Sequence, residues 1–160
     1  MLARHSTKPA PQSIAGDITK GEPMDLVFDG TTKIPPAIPD GDHYALLYCG
    51  AEKVQLWGQT KLLLRFTMVT LGDWVGQEFF MACTVPLNGR WRPSSKYWLT
   101  WVLAAGRRPT RADRMSTAIF KDKVFRVRMR TVTQTSKQIA RTPAQQYSVV
   151  DELLDVTVWP

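Results

Sequence analysis

The chain has 160 residues, 44% of them apolar, with 21 basic against 14 acidic side chains and a formal net charge of +7. That length fits one domain, no apolar run approaches the roughly 18 residues of a membrane span, and the opening Met1-Leu2-Ala3-Arg4-His5-Ser6 lacks the apolar core of a signal peptide. The charge is concentrated: residues 90–141 hold 14 basic residues against Asp113 and Asp122, a net +12, while the rest of the chain is slightly acidic.

Residues 1–39 contain six of the 11 prolines and read as an extended or disordered N-terminal arm. Within it, Met24-Asp25-Leu26-Val27-Phe28 is the one strand-like piece, suited to pairing at an edge or to strand exchange between subunits of a homo-oligomer. Pro35-Pro36-Ala37-Ile38-Pro39 is the expected linker into a folded domain over residues 40–158.

Residues 43–49 are apolar and aromatic, and the pattern continues past Gly50 toward Trp57 as a first strand. Residues 61–69 alternate, with Leu62, Leu64, Phe66 and Met68 on one face and Lys61, Leu63, Arg65 and Thr67 on the other. A turn at Gly72-Asp73-Trp74-Val75-Gly76 leads to a third strand over residues 78–85. These three read as an antiparallel meander.

The period then changes. Ser94 or Ser95 is a suitable helix N-cap, residues 96–105 are apolar at helical spacing, and Gly106 suits the position after the last turn. Tyr97, Trp98, Trp101, Val102 and Ala105 form the expected core face of this helix. A short helical turn is expected within residues 110–120. Residues 123–133 alternate strictly, placing Phe125, Val127, Met129 and Thr131 on one side and Arg126, Arg128 and Arg130 on the other. A polar loop over residues 134–145 leads to a last strand around residues 146–150.

The predicted order is three strands, one helix and two strands: a mainly β chain in the layout of the OB fold, a five-stranded antiparallel barrel with one helix between strands three and four. The chain resembles the OB-fold single-stranded DNA-binding proteins of bacteriophages and bacterial mobile elements. The likeness is carried by Gly41-Asp42-His43-Tyr44, Lys61-Leu62-Leu63-Leu64-Arg65-Phe66, Ala105-Gly106-Arg107-Arg108-Pro109 and Phe120-Lys121-Asp122-Lys123-Val124-Phe125-Arg126-Val127. It implies single-stranded DNA as partner and a role in replication or recombination.

The residues supply binding chemistry more readily than catalysis. No carboxylate pair has a catalytic spacing, no glycine run forms a phosphate-binding loop, and His43 is the only histidine past the arm. Cys49 and Cys83 make no metal motif with His5 and His43. The expectations are therefore no enzyme, no metal, no cofactor, and buried reduced thiols in a cytoplasmic setting. A basic block inside a folded sequence is the footprint of a polyanion. Side chains two apart on a strand recur at roughly 6.8 Å, so Arg126, Arg128 and Arg130 would form a row matched to phosphates. Lys61 and Arg65 would join this row, and Lys137 and Arg141 in the loop before the last strand would close over the ligand. Single-strand binders add aromatic platforms to such a groove, and Trp57, Trp74 and Trp91 lie at turns where a ring is available to stack. RNA is the alternative strand, and an assembly subunit whose basic face meets an acidic partner is the alternative class.

Overall fold

The computed structural model describes residues 34–56, 58–135 and 137–158. The arm up to residue 33, with its strand-like piece at residues 24–28, and Trp57 lie outside the described residues.

Five strands form one antiparallel sheet. They are β1 (Gly41–Leu56), β2 (Gln59–Met68), β3 (Glu78–Thr84), β4 (Lys123–Val132) and β5 (Tyr147–Val158), in the order β3-β2-β1-β4-β5. The long β1 is the centre. Its first half pairs with β4 from Gly41↔Met129 to Leu47↔Val124, and its second half continues along β2 to Leu56↔Gln59. A register shift between Tyr48 and Gly50 bends it, and Gly50 takes φ 147, a conformation that glycine adopts without the penalty of a β-carbon. β3 and β5 are the outer strands. No ladder joins them among the described residues, but the rings of Phe80 on β3 and Tyr147 on β5 lie 6.3 Å apart.

The helix α1 (Lys96–Ala105) crosses between β3 and β4 in sequence, as the capping residues require. The Trp98 amide donates to Ser95 Oγ at 3.3 Å, and Gly106, at φ 70, donates its amide to the Val102 carbonyl at 2.8 Å. The helix places Tyr97 and Trp101 against the inward residues of the sheet, among them Leu46, Leu64, Phe66, Phe125 and Val127, each fully buried. The Tyr97 hydroxyl donates to the Met115 carbonyl at 2.6 Å and Trp101 Nε1 to the Ser116 carbonyl at 3.0 Å. Both polar tips are thus satisfied, and the segment leading to the 3-10 turn at Thr117–Phe120 is tied down.

On the second face of β2, Leu63 packs with Phe80 and Tyr147 in a second small cluster, and Lys61 is buried as well. Two expectations need correction. β5 does not stop near residue 150 but runs to Val158, with register shifts opposite Arg126/Val127 and Arg128/Met129. Cys83 is buried, as expected, but Cys49 is exposed because it sits at the bend of β1.

Residues 34–39 form no helix or strand, yet they dock. Ile38 is 3% exposed and joins the core, its amide donates to Ser148 Oγ at 2.8 Å, and the Ser148 amide donates to the Pro36 carbonyl at 3.0 Å.

Candidate nucleic-acid interface

The alternation in β4 holds. Phe125, Val127 and Met129 are buried, and Arg126, Arg128 and Arg130 are exposed on the other face. The arginines are not open cations, however. Arg126 pairs with Asp155 at 2.8 Å, Arg128 with Glu152, and Arg130 with Asp151 at 3.2 Å, all three acids being on β5. The bulges bring this about. A regular strand alternates faces, so the adjacent Asp151 and Glu152 would point opposite ways; the register shift between Arg128 and Met129 puts both on the arginine side. The row is locally neutral.

Three of the other four predicted cations are also engaged. Arg65 is paired with Glu52, with Glu78 3.9 Å away. Lys61 is 8% exposed and donates to Thr84 Oγ1 at 2.6 Å. Arg141 places its guanidinium 5.6 Å from the Tyr147 ring centre and donates from Nε to the Gln134 carbonyl at 3.3 Å. Lys137 is exposed in the β4–β5 loop. Trp74 and Trp91 are half-buried against the core rather than fully exposed at their turns, and Trp91 lies 4.2 Å from the Tyr97 ring. Trp98 is likewise half-buried on α1.

The unmatched charge lies elsewhere. Residues 90–122 carry Arg90, Arg92, Lys96, Arg107, Arg108, Arg111, Arg114 and Lys121, eight cations against Asp113 and Asp122, a net +6. All eight are exposed; among the described residues only Arg111 is ion-paired, bidentately to Asp113 at 2.8 and 3.0 Å, and Arg107 places its guanidinium 5.2 Å from the Trp101 ring centre. Those hydrogen bonds, with the nearby Arg90 charge, hold the Asp113 carboxyl below its ordinary range. The two connections that carry seven of these cations, all but Lys96 at the start of α1, are stitched together, the Trp91 amide donating to the Ala112 carbonyl at 2.9 Å. Arg90 and Arg92 therefore lie beside Arg111 and Arg114. Beside them opens a groove of about 630 Å3 lined by Trp91 and Tyr97, by Arg114 and Lys53, and by the carboxylates Glu52 and Asp113. The basic block of residues 90–141 already contains this cluster, but which of its cations stay unpaired is decided by the β4–β5 pairing.

Comparison with protein-family models, with curated proteins and with solved structures gives no match. Among the described residues no group of three His, Cys, Asp or Glu side chains is placed to hold a metal ion, and no helix is long and apolar enough to cross a membrane.

Proposed function

We propose that this chain binds single-stranded DNA with little sequence specificity, as in replication or recombination of a mobile element, on a sheet curled into an OB-like barrel. Two features favour the barrel: the outer strands β3 and β5 approach at the Phe80–Tyr147 ring pair, and β1 bends at Gly50 while serving two ladders.

The observation that carries the binding reading is the set of exposed cations over residues 90–122, seven of the eight without an ion-pair partner among the described residues. Like charges gathered on two adjoining connections repel one another and are stabilised by a polyanion. A phosphate backbone supplies that charge, and Trp91, flanked by Arg90 and Arg92, supplies a ring on which a base stacks. The contact is to the backbone and to π-faces, so it discriminates weakly among sequences. It needs no cofactor.

Fluorescence titration with oligo-dT, oligo-U and duplex DNA of equal length at two salt concentrations tests the proposal. Oligo-dT should bind more tightly than duplex and weaken steeply with salt. Tighter binding of oligo-U would move the assignment to RNA. Binding to none of the three would leave an assembly subunit with a basic face.

A further inference from the structure

The gap between the two outer strands contains a cavity of about 360 Å3. Its wall carries Lys61, Lys96 and Arg130 together with the rings of Phe80, Tyr97 and Tyr147. Lys61 is the singular member. It is 8% exposed, and among the described residues its one hydrogen-bond partner is Thr84 Oγ1 and no carboxylate lies within ion-pair distance of it.

An ammonium group taken out of water without a counter-ion is costly, and chains retain one where an anion completes it. The described surroundings do not supply that anion. Burial is the largest influence and lowers the Lys61 pKa, Cys83 acts against it, and the Lys96 charge lowers it further, while the Cys83 thiol, itself pushed up to about 12 by burial, stays neutral at physiological pH. Among the described residues the one carboxylate engaged with this group of cations is Asp151, on Arg130 at 3.2 Å. The cavity therefore combines a surplus of cations with aromatic walls. Its volume is at the small end of ligand sites, which run from roughly 300 to 1,000 Å3.

We propose that this cavity binds a single nucleotide unit, its phosphate held by Lys61 and Lys96 and its base against the Phe80–Tyr147 side. The choice of a nucleotide among aromatic anions rests on the nucleic-acid reading above. The unit comes either from a free nucleotide or from the 5′ end of a strand.

Calorimetric titration of the full chain with thymidine 5′-monophosphate, thymidine and inorganic phosphate tests this. The monophosphate should bind at least tenfold more tightly than either fragment, and Lys61→Met should weaken it at least tenfold. Lys96→Gln, on an exposed side chain that the fold does not need, should weaken it severalfold and keeps the test open if Lys61→Met does not fold. Comparing 5′-phosphorylated with 5′-hydroxyl oligo-dT separates the sources: preference for the phosphorylated strand indicates end binding, and equal affinity alongside monophosphate binding indicates the free nucleotide. A folded Lys61→Met protein that binds the monophosphate as the wild type does would overturn the proposal. So would absence of monophosphate binding where oligo-dT still binds, a result that leaves the single-strand reading intact. Monophosphate binding without any oligo-dT binding would do the opposite.

Discussion

Glu152 stands directly opposite Arg128 in the β4–β5 ladder, and its carboxylate accepts a hydrogen bond from the guanidinium. Two residues along β4, Asp155 does the same for Arg126, and Asp151, unpaired at the bulge, accepts from Arg130 Nε. Exposed pairs of this kind contribute only about 0.2–1 kcal/mol each to stability. Their consequence for binding is larger, because a phosphate that reaches the row must first displace a carboxylate held on the same strand pair.

Removing one of those carboxylates should therefore expose a cation. Glu152→Gln is expected to raise oligo-dT affinity severalfold at low salt, whereas Arg128→Gln combined with Glu152→Gln should leave it within about twofold. If the double variant instead loses about 0.7 of a unit from the slope of log K against log salt, the value for one phosphate on a single strand, Arg128 is a direct phosphate ligand.

Trp91 and Trp101 should separate binding from folding. Trp91 is half-buried with Arg90 and Arg92 beside it, so Trp91→Ala should weaken oligo-dT binding by about 1–3 kcal/mol. Its loss of stability should be confined to the ring pair with Tyr97, about 0.5–1.5 kcal/mol. Trp101 is 4% exposed, and Trp101→Ala should cost about 3–5 kcal/mol of stability through the cavity it leaves. Denaturant melts beside titrations decide the matter; a Trp91→Ala protein that is destabilised yet binds normally would make that ring purely structural.

The docked segment before β1 should matter to the fold. Ile38 is 3% exposed, so Ile38→Ala should destabilise by about 2–5 kcal/mol. Ser148 is fully buried, and Ser148→Ala strands the Ile38 amide at a cost of about 1–3 kcal/mol. Urea unfolding measures both, and changes under about 0.5 kcal/mol, the range of ordinary surface substitutions, would show that residues 34–39 are dispensable.

Lys61 should leave a signature in the pH dependence of stability. Burial places its folded pKa below its ordinary value of 10.5, so between those two values the unfolded chain binds more protons. Stability should then rise with pH through that alkaline window, and at neutral pH the buried charge is a net cost. Lys61→Met should be as stable as the wild type at pH 7, or more so, and should lack that component of the alkaline rise. Parallel urea midpoints for the two proteins from pH 7 to pH 10 would show that Lys61 carries no burial penalty.

Much of the fold was legible because local signals agreed with the final packing. Ser95 and Gly106 bracket the helix as capping chemistry requires, and the strict alternation of β4 assigns Phe125, Val127 and Met129 to the core. The end of β5 was not legible, since Asp151-Glu152-Leu153-Leu154-Asp155 breaks the period of two at the bulges, and a bulge is set by the partner strand. Ile38 was hidden among prolines that mark extended chain without saying what the chain docks against. The site divided in the same way. Charge totals are local and readable, but the partner that neutralises Arg126 lies 29 residues away, and only the folded ladder brings Asp155 to it.

On the proposed reading, phosphates are met by the cations of the two stitched connections. The decisive measurement is the slope of log K for oligo-dT against log salt, compared between the wild type and the Arg90→Gln, Arg92→Gln, Arg114→Gln triple variant. At about 0.7 per phosphate, removing three contacts should flatten the slope by about 2 units while the melting temperature holds, since all three side chains are exposed and make no ion pair among the described residues. A folded triple variant with the wild-type slope would contradict the claim.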